Sequence, residues 1–512
     1  MATQKPNILI VMADQMVPSA LPFHGHPVTL VPAMSALAES GVVFDAAYTG
    51  SPLCSPGRAS FMTGLLPSRT HTYDNAAEFA SEIPTFAHYL RRAGYRTVLS
   101  GKMHFCGPDQ LHGFEERLTT DIYPADYGWT PDWDHPHDRP HWYHDMSSVL
   151  DAGVCVRSNQ LDFDDEVGFA AERELFNHIR SGQDRPFCFV VSFSHPHDPF
   201  AIPRRWWDMY RDQDIPMPEV GYDASTATPH EQRLRHVCAM NGVEITEDAV
   251  RAARRAYYGA ISYVDDHIGR LVELLRETGT LDNTIVIVTS DHGEMLGEHG
   301  LWYKMNFYEG SARVPLLVSA PTMFAPGRVA NTVSTMDLLP TLVALAQDGD
   351  TANIVGPLDG VSLLPHLGGG GERDAVVAEY LAEGAIAPIV MLRRGRHKFI
   401  HSPADPDQLY DLESDPNEQR NLAEEVASAD LVAQLAAEVA ARWDLARLDA
   451  EVRESQQRRM TVTEAFGQGL QPSWDFVPTY GASSRYIRNH MDLNDLEGRA
   501  RYPRVQHPTS SV

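Results

Sequence analysis

Short apolar runs recur along the first two thirds of the chain, at residues 7–12, 42–44, 187–193, 284–289 and 314–318, with the strand-like Tyr95-Arg96-Thr97-Val98-Leu99 third in order among them. Runs of this length with little polar alternation fit strands covered on both faces, as in a largely parallel sheet between helices. Helical patterns fall between them, at 33–40, from Phe86 through Leu90, at 250–278 and at 337–346. In 250–278, Tyr257, Ile261, Val264, Ile268, Leu271 and Leu275 repeat at helical spacing and predict a packing face. Beyond Gly368 to Gly371 the pattern changes to shorter strands at 375–380, 389–394 and 397–401, followed by Gln408-Leu409-Tyr410-Asp411-Leu412. The chain therefore divides into an α/β region over 1–370, a small C-terminal sheet subdomain over 371–450 and a tail over 451–512. The tail is polar and Arg-rich with few periodic apolar positions, which predicts an extended segment held by a neighbour.

Polar residues gather where the predicted strands end, and open α/β sheets bind ligands there. The first strand delivers Asp14-Gln15, the third Ser100-Gly101-Lys102-Met103-His104, the fourth Ser194-His195-Pro196-His197-Asp198-Pro199, and the fifth Ser290-Asp291-His292-Gly293. A lone Asp14 would be a loop aspartate satisfying backbone amides. The matching pair Asp291-His292 makes both candidates for a metal. Lys102 and His104, two apart in extended chain, can enter one pocket from the same side. On their own they would be a solvated lysine beside a structural histidine.

The stretch 51–64 carries Cys54, Pro56, Arg58 and Gly64 where a loop gives way to a helix. A helix starting near Pro56 would bring Cys54 and Arg58 to its positive end, which favours anions. The alternative for Cys54 is a small buried core residue. Residues 123–143 hold Tyr123, Tyr127, Trp129, Trp133, Trp142 and Tyr143 among turn formers without periodicity. Most would glue the loop down, with one or two lining a substrate pocket.

Charge narrows the choice of partner. The net charge of −27 argues against nucleic acid and, locally, suits a cationic ligand. Five cysteines at irregular spacing predict neither a disulfide framework nor a zinc site. No stretch resembles a transmembrane span. Residues 1–6 lead into the first strand without the pattern of a leader, so a cytoplasmic location is expected.

These motifs together resemble the sulfatase family of the alkaline-phosphatase superfamily. Cys54-x-Pro56-x-Arg58 matches its signature, and Asp14-Gln15, 100–104, 194–199, Asp291-His292 and 300–313 follow in the family's order. The segment 121–126 and the tail motif Arg488-Asn489-His490-Met491 are similar to the choline-sulfatase branch. Many sulfatases show two adjacent aspartates at the first metal position and Asp-Asn or Asp-Gln at the second. The pairs here are those shared by the choline-sulfatase and phosphonate-monoester-hydrolase branches.

The resemblance implies a large mixed sheet flanked by helices, with a smaller C-terminal α+β subdomain and an extended C-terminal tail. It implies a formylglycine made from Cys54 by a formylglycine-generating enzyme, its hydrate being the nucleophile. One divalent cation would be held by Asp14, Gln15, residue 54, Asp291 and His292, with Ca²⁺ favoured and Mn²⁺ or Mg²⁺ as alternatives. Arg58, Asn75, Lys102 and Lys304 would clamp sulfate, His197 would protonate the leaving group, and His104 would act as base on the second hydroxyl. Trp129, Glu383, His144 and Asp145 would receive the quaternary ammonium of a cationic alcohol. The expected reaction is hydrolysis of choline sulfate, with phosphonate monoesters, phosphodiesters or aryl sulfates as the alternative substrates. The expected assembly is a homotetramer with tails crossing to neighbours.

Overall fold

The structure is a computed structural model and describes residues 5–211, 213–347, 349–471, 473–481, 486–488 and 490–503. Its centre is an eight-stranded sheet in the order Gly327–Ser334, Val42–Tyr48, Arg313–Ser319, Thr284–Thr289, Asn7–Asp14, Phe187–Pro196, Arg96–Gly101, Glu116–Arg117. Only Arg313–Ser319 runs against its neighbours, so the sheet is mixed as expected. The apolar runs are its interior: Ile8 through Ala13 and Ile285 through Val288 are all within 1% of complete burial. Asn7–Asp14 pairs on both sides and is fully enclosed, which a strand without polar alternation requires.

The 31-residue helix Glu247–Glu277 covers one face through Tyr257, Ile261, Val264, Ile268 and Leu271. Asp265 on this helix accepts from the backbone amides of Ala33 and Met34, capping the helix Pro32–Ser40 from outside its own sequence. The opposite face is covered in part by Cys54–Thr63 and Leu338–Ala346.

A four-stranded antiparallel sheet, Ala375–Tyr380, Ile389–Arg394, His397–Ser402 and Asp405–Asp411, forms the smaller C-terminal unit. Two helices follow, Ala429–Arg442 and Leu445–Phe466, the second running through the start of the polar tail. It carries few apolar residues because its buried side includes Gln456 and Arg459, which bind the α/β region through hydrogen bonds. Among the described residues after Phe466, the regular structure is the helix Leu493–Ala500. In the tail motif, Asn489 lies outside the described residues. No described helix is long and apolar enough to cross a membrane.

Candidate active site

Strand ends and one helix start converge at the carboxyl edge of the sheet. Register shifts between Ala13 and Asp14, and Gln15 follows in the left-handed region at φ 65°. Tyr257 holds that turn: its hydroxyl donates to Gln15 O at 2.6 Å and accepts from Val17 N at 2.9 Å. The helix begins at Cys54, two residues before the expected start. Gly57 lies where a Cβ would come within 2.7 Å of Ser51 O and 3.1 Å of Asp291 O, so the absence of a side chain lets this helix press against the neighbouring strand end.

Ligand atoms of Asp14, Cys54, Asp291 and His292 all lie within 4.8 Å of one another, and all four residues are buried. His292 Nδ1 donates to Gly293 O at 3.0 Å, which turns Nε2 inward. Nε2 is 3.2 Å from Cys54 Sγ and 3.6 Å from a carboxylate oxygen of each aspartate. Asp14 Oδ1 is buried without a hydrogen-bond partner. Two carboxylates, an imidazole and an unsatisfied oxygen fit a divalent cation.

Positive charge surrounds this cluster. Arg58 was expected to clamp sulfate, but the structure places it behind the carboxylates. Its Nε donates to Asp291 at 2.8 Å, its Nη1 to Lys102 O at 2.5 Å and Ser192 Oγ at 2.9 Å, and its Nη2 is 3.5 Å from Asp14. The early helix start explains this: Arg58 lies one full turn below Cys54, away from the mouth. Lys102 pairs with Asp14, stands 3.5 Å from Cys54 Sγ and lies 4.3 Å from the ring centre of Tyr123. Burial alone would raise the Cys54 thiol, yet Lys102, Lys304 and His292 hold it well below the ordinary thiol range. Burial likewise opposes ionisation of Asp291, but Arg58 and His292 depress its pKa.

On the other side, Lys304 Nζ donates to His197 Nε2 and to Gln15 Oε1, both at 2.6 Å. Gln15 in turn donates from its amide nitrogen to Glu294. In this arrangement Gln15 orients Lys304, with its oxygen occupied, instead of offering the expected metal ligand. Burial pushes the Glu294 carboxyl up to about 8. Asp198 gathers His197 Nδ1 at 3.1 Å, His144 Nδ1 at 3.2 Å and Ser148 Oγ at 2.9 Å. Although burial resists it, the two histidines depress the Asp198 pKa.

A pocket of about 380 Å³ opens above Cys54 and is walled by aromatic rings. Trp129 and Trp142 stack with centroids 5.9 Å apart and planes 14° apart, and Tyr123 meets Trp129 edge-on at 5.2 Å. Asn75, Lys304, His197, His144 and Asp145 also line it. Asn75 Oδ1 accepts from Ser55 N at 2.9 Å, leaving its Nδ2 as a donor. His144 stacks on Tyr303 at 4.5 Å, and Asp145 turns a carboxylate oxygen to Ser147 N at 2.8 Å.

Two expected residues stand apart from the pocket wall. His104, at φ 54°, packs against Tyr123 and Trp129 with both ring nitrogens buried, beside Cys54, whose thiol it helps to hold down. Glu383 lies close to Tyr143, and both its carboxylate oxygens are buried without partners. Burial and the charge of Asp74 raise its pKa to about 8. Tyr123, Trp142, Asp198 and Glu294 also belong to the site. Irregular loops place them, and such loops carry no periodic signal in the sequence.

The model described as Sulfatase matches residues 6–348. The chain belongs to the sulfatase family. Two further family models match: "N-sulphoglucosamine sulphohydrolase, C-terminal" over 297–444, overlapping the first, and "Choline sulfatase enzyme C terminal" over 450–502. This sulfatase is 50% identical to a choline-sulfatase of Rhizobium meliloti (strain 1021), over 98% of this chain and 100% of that one. It is 30% identical to an arylsulfatase of Clostridium perfringens, covering 82% of this chain and 90% of the relative. Among solved structures it resembles the phosphonate monoester hydrolase of Agrobacterium radiobacter, with TM-score 0.69 and 26% identity over 88% of this chain and 96% of that one.

Proposed function

We propose that this sulfatase hydrolyses choline sulfate to choline and sulfate. The observation that carries this reading is the 50% identity to a choline-sulfatase along essentially the whole of both chains. The aromatic pocket above Cys54 supports it, because parallel indoles offer electron-rich faces to a quaternary ammonium. Trp129 is the principal face, with His144 and Asp145 at its rim and Glu383 behind the wall as the counter-charge when ionised.

Asp14, Asp291, His292 and residue 54 would hold one divalent cation, Ca²⁺ being our first choice: the carboxylate oxygens suit Ca²⁺ or Mg²⁺ and the His292 imidazole suits Mn²⁺. The ion supplies positive charge that activates an oxygen nucleophile and stabilises oxyanions. Cys54 Sγ marks the position of the formylglycine hydroxyl that a formylglycine-generating enzyme would install, a group that supplies the nucleophile and a second hydroxyl for release of sulfate. Lys102, Asn75 and Lys304 bind the sulfate oxygens and oppose the charge that grows on them. Arg58 fixes both aspartates from behind. The backbone carbonyl of Asp198 accepts from His197 Nδ1 at 2.9 Å and so directs Nε2 toward Lys304. As the S–O bond breaks, the Lys304–His197 pair passes a proton to the choline oxygen. His104 is the base that takes a proton from residue 54 during sulfate release.

The same reading includes a homotetramer with contributions from residues after Glu451, and a cytoplasmic location. Solution mass of the chain with and without that segment tests the first. Peptide mass spectrometry around Cys54, followed by specificity constants on choline sulfate, an aryl sulfate and a phosphonate monoester, tests the whole. Choline sulfate should be preferred. Preference for the phosphonate would instead favour the chemistry named for the Agrobacterium neighbour.

A further inference from the structure

The tail helix Leu445–Phe466 reaches the active site from behind through one buried guanidinium. Arg459 is 5% exposed and Asp74 is completely buried. Arg459 Nη1 and Nη2 donate to the two Asp74 carboxylate oxygens, each at 2.7 Å, the paired geometry that fixes both groups in plane. Nη1 also donates to Thr130 Oγ1 at 3.2 Å. One side chain therefore joins two segments of the pocket, since Asn75 follows Asp74 and Trp129 precedes Thr130.

Both segments are tied so that this anchor sets their direction. Asp74 Oδ1 also accepts from Ala76 N at 2.9 Å, arching over Asn75, while Asn75 O accepts from Cys106 Sγ at 3.1 Å. The Asn75 backbone is held on both sides, and its side chain accepts from Ser55 N beside Cys54. Thr130 closes a turn under Trp129, its amide and hydroxyl both donating to Tyr127 O, at 3.2 Å and 2.8 Å. One helical turn before Arg459, Gln456 accepts from Trp133 N at 3.0 Å, so the same helix holds the loop at a second point.

We infer that Arg459 is a positioning residue of the reaction: through Asp74 it sets the sulfate-binding Asn75, and through Thr130 it sets the Trp129 face that receives the cation. The part concerning Trp129 rests on the choline-sulfate reading; the part concerning Asn75 does not. Lysine at 459 would keep the charge but could not span Asp74 and Thr130 together.

The test uses the full chain with Arg459→Lys, Arg459→Ala, Thr130→Val and the neutral pair Asp74→Asn/Arg459→Gln. Each is assayed on choline sulfate and on its uncharged isostere 3,3-dimethylbutyl sulfate, with melting temperature checked alongside. Displacement of Asn75 should lower kcat about 10- to 100-fold on both esters in Arg459→Ala and less in Arg459→Lys. The neutral pair should recover part of that loss. Thr130→Val should leave kcat on the uncharged ester near wild type while reducing the preference for choline sulfate several-fold. Folded Arg459→Lys and Thr130→Val proteins with wild-type kcat and wild-type preference would overturn the inference, even if Arg459→Ala failed to fold. A wild-type enzyme without preference for the cationic ester would overturn the choline reading alone, and the kcat comparison would still judge Arg459.

Discussion

Lys304 Nζ and His197 Nε2 stand 2.6 Å apart, with the far side of the imidazole committed to Asp198. The two side chains thus share one hydrogen-bonded proton beside the pocket, and their contribution depends on how much proton the departing oxygen needs. An alkoxide needs it fully, whereas a nitrophenolate leaves almost unaided. His197→Ala should therefore lower kcat/KM on choline sulfate by about 10²- to 10⁴-fold and on a nitrophenyl sulfate far less. Equal losses on the two esters would remove the proton-donor role.

Cys54→Ala should abolish turnover, because among the described residues no other nucleophile joins the Asp14, Asp291 and His292 cluster. Substantial turnover in a preparation shown by mass spectrometry to be free of wild-type enzyme would contradict the covalent route.

Trp129→Ala should raise KM for choline sulfate more than for the uncharged isostere, since a desolvated cation over an indole gains about 2 kcal/mol, or roughly 30-fold. Isothermal titration with choline alone offers the same comparison without catalysis.

Chelation should stop turnover without unfolding the protein. Arg58 and Lys102 already pair with Asp14 and Asp291, so the cluster retains internal compensation when the ion is removed. Activity and circular dichroism after dialysis against a chelator check both halves, and restoration by Ca²⁺, Mn²⁺ or Mg²⁺ added singly identifies the ion.

Glu383 should make stability pH-dependent. Its folded pKa of about 8 lies above the ordinary carboxyl value, so the folded state holds this proton more tightly than the unfolded state. That contribution is fully present below the unfolded pKa near 4.5 and is lost as pH rises through about 8. Glu383→Gln should flatten this part of the melting-temperature profile. Choline should stabilise the wild type more at pH 9 than at pH 6, because the ionised carboxylate is the better counter-charge.

The sheet and the four polar strand ends were legible because doubly covered strands are apolar throughout and their first polar residues mark the carboxyl edge. Asp14, Lys102, His197 and Asp291 came directly from that rule. The direction of Arg58 did not, since it turns on whether the helix starts at residue 54 or 56, and both starts suit the local sequence. Gln15 and His104 adopt left-handed backbone that their residue types do not announce. The helix Asn159–Ser181 is not legible in the pattern, because its acidic residues interrupt an otherwise helical apolar stripe. Arg459 was read as part of a polar tail, and its partner Asp74 lies 385 residues away.

That separation also sets an order in time. A ribosome completes the strands bearing Asp14, Lys102 and Asp291 long before it releases residue 459, so the Asp74 loop gains its partner near the end of synthesis. In the finished protein Cys54 is 1% exposed at the floor of its pocket, beyond the reach of another enzyme's active site. On the proposed reading, conversion of that cysteine would belong to the interval before the chain closes over it, an interval that the late-made helix Leu445–Phe466 brings towards its end.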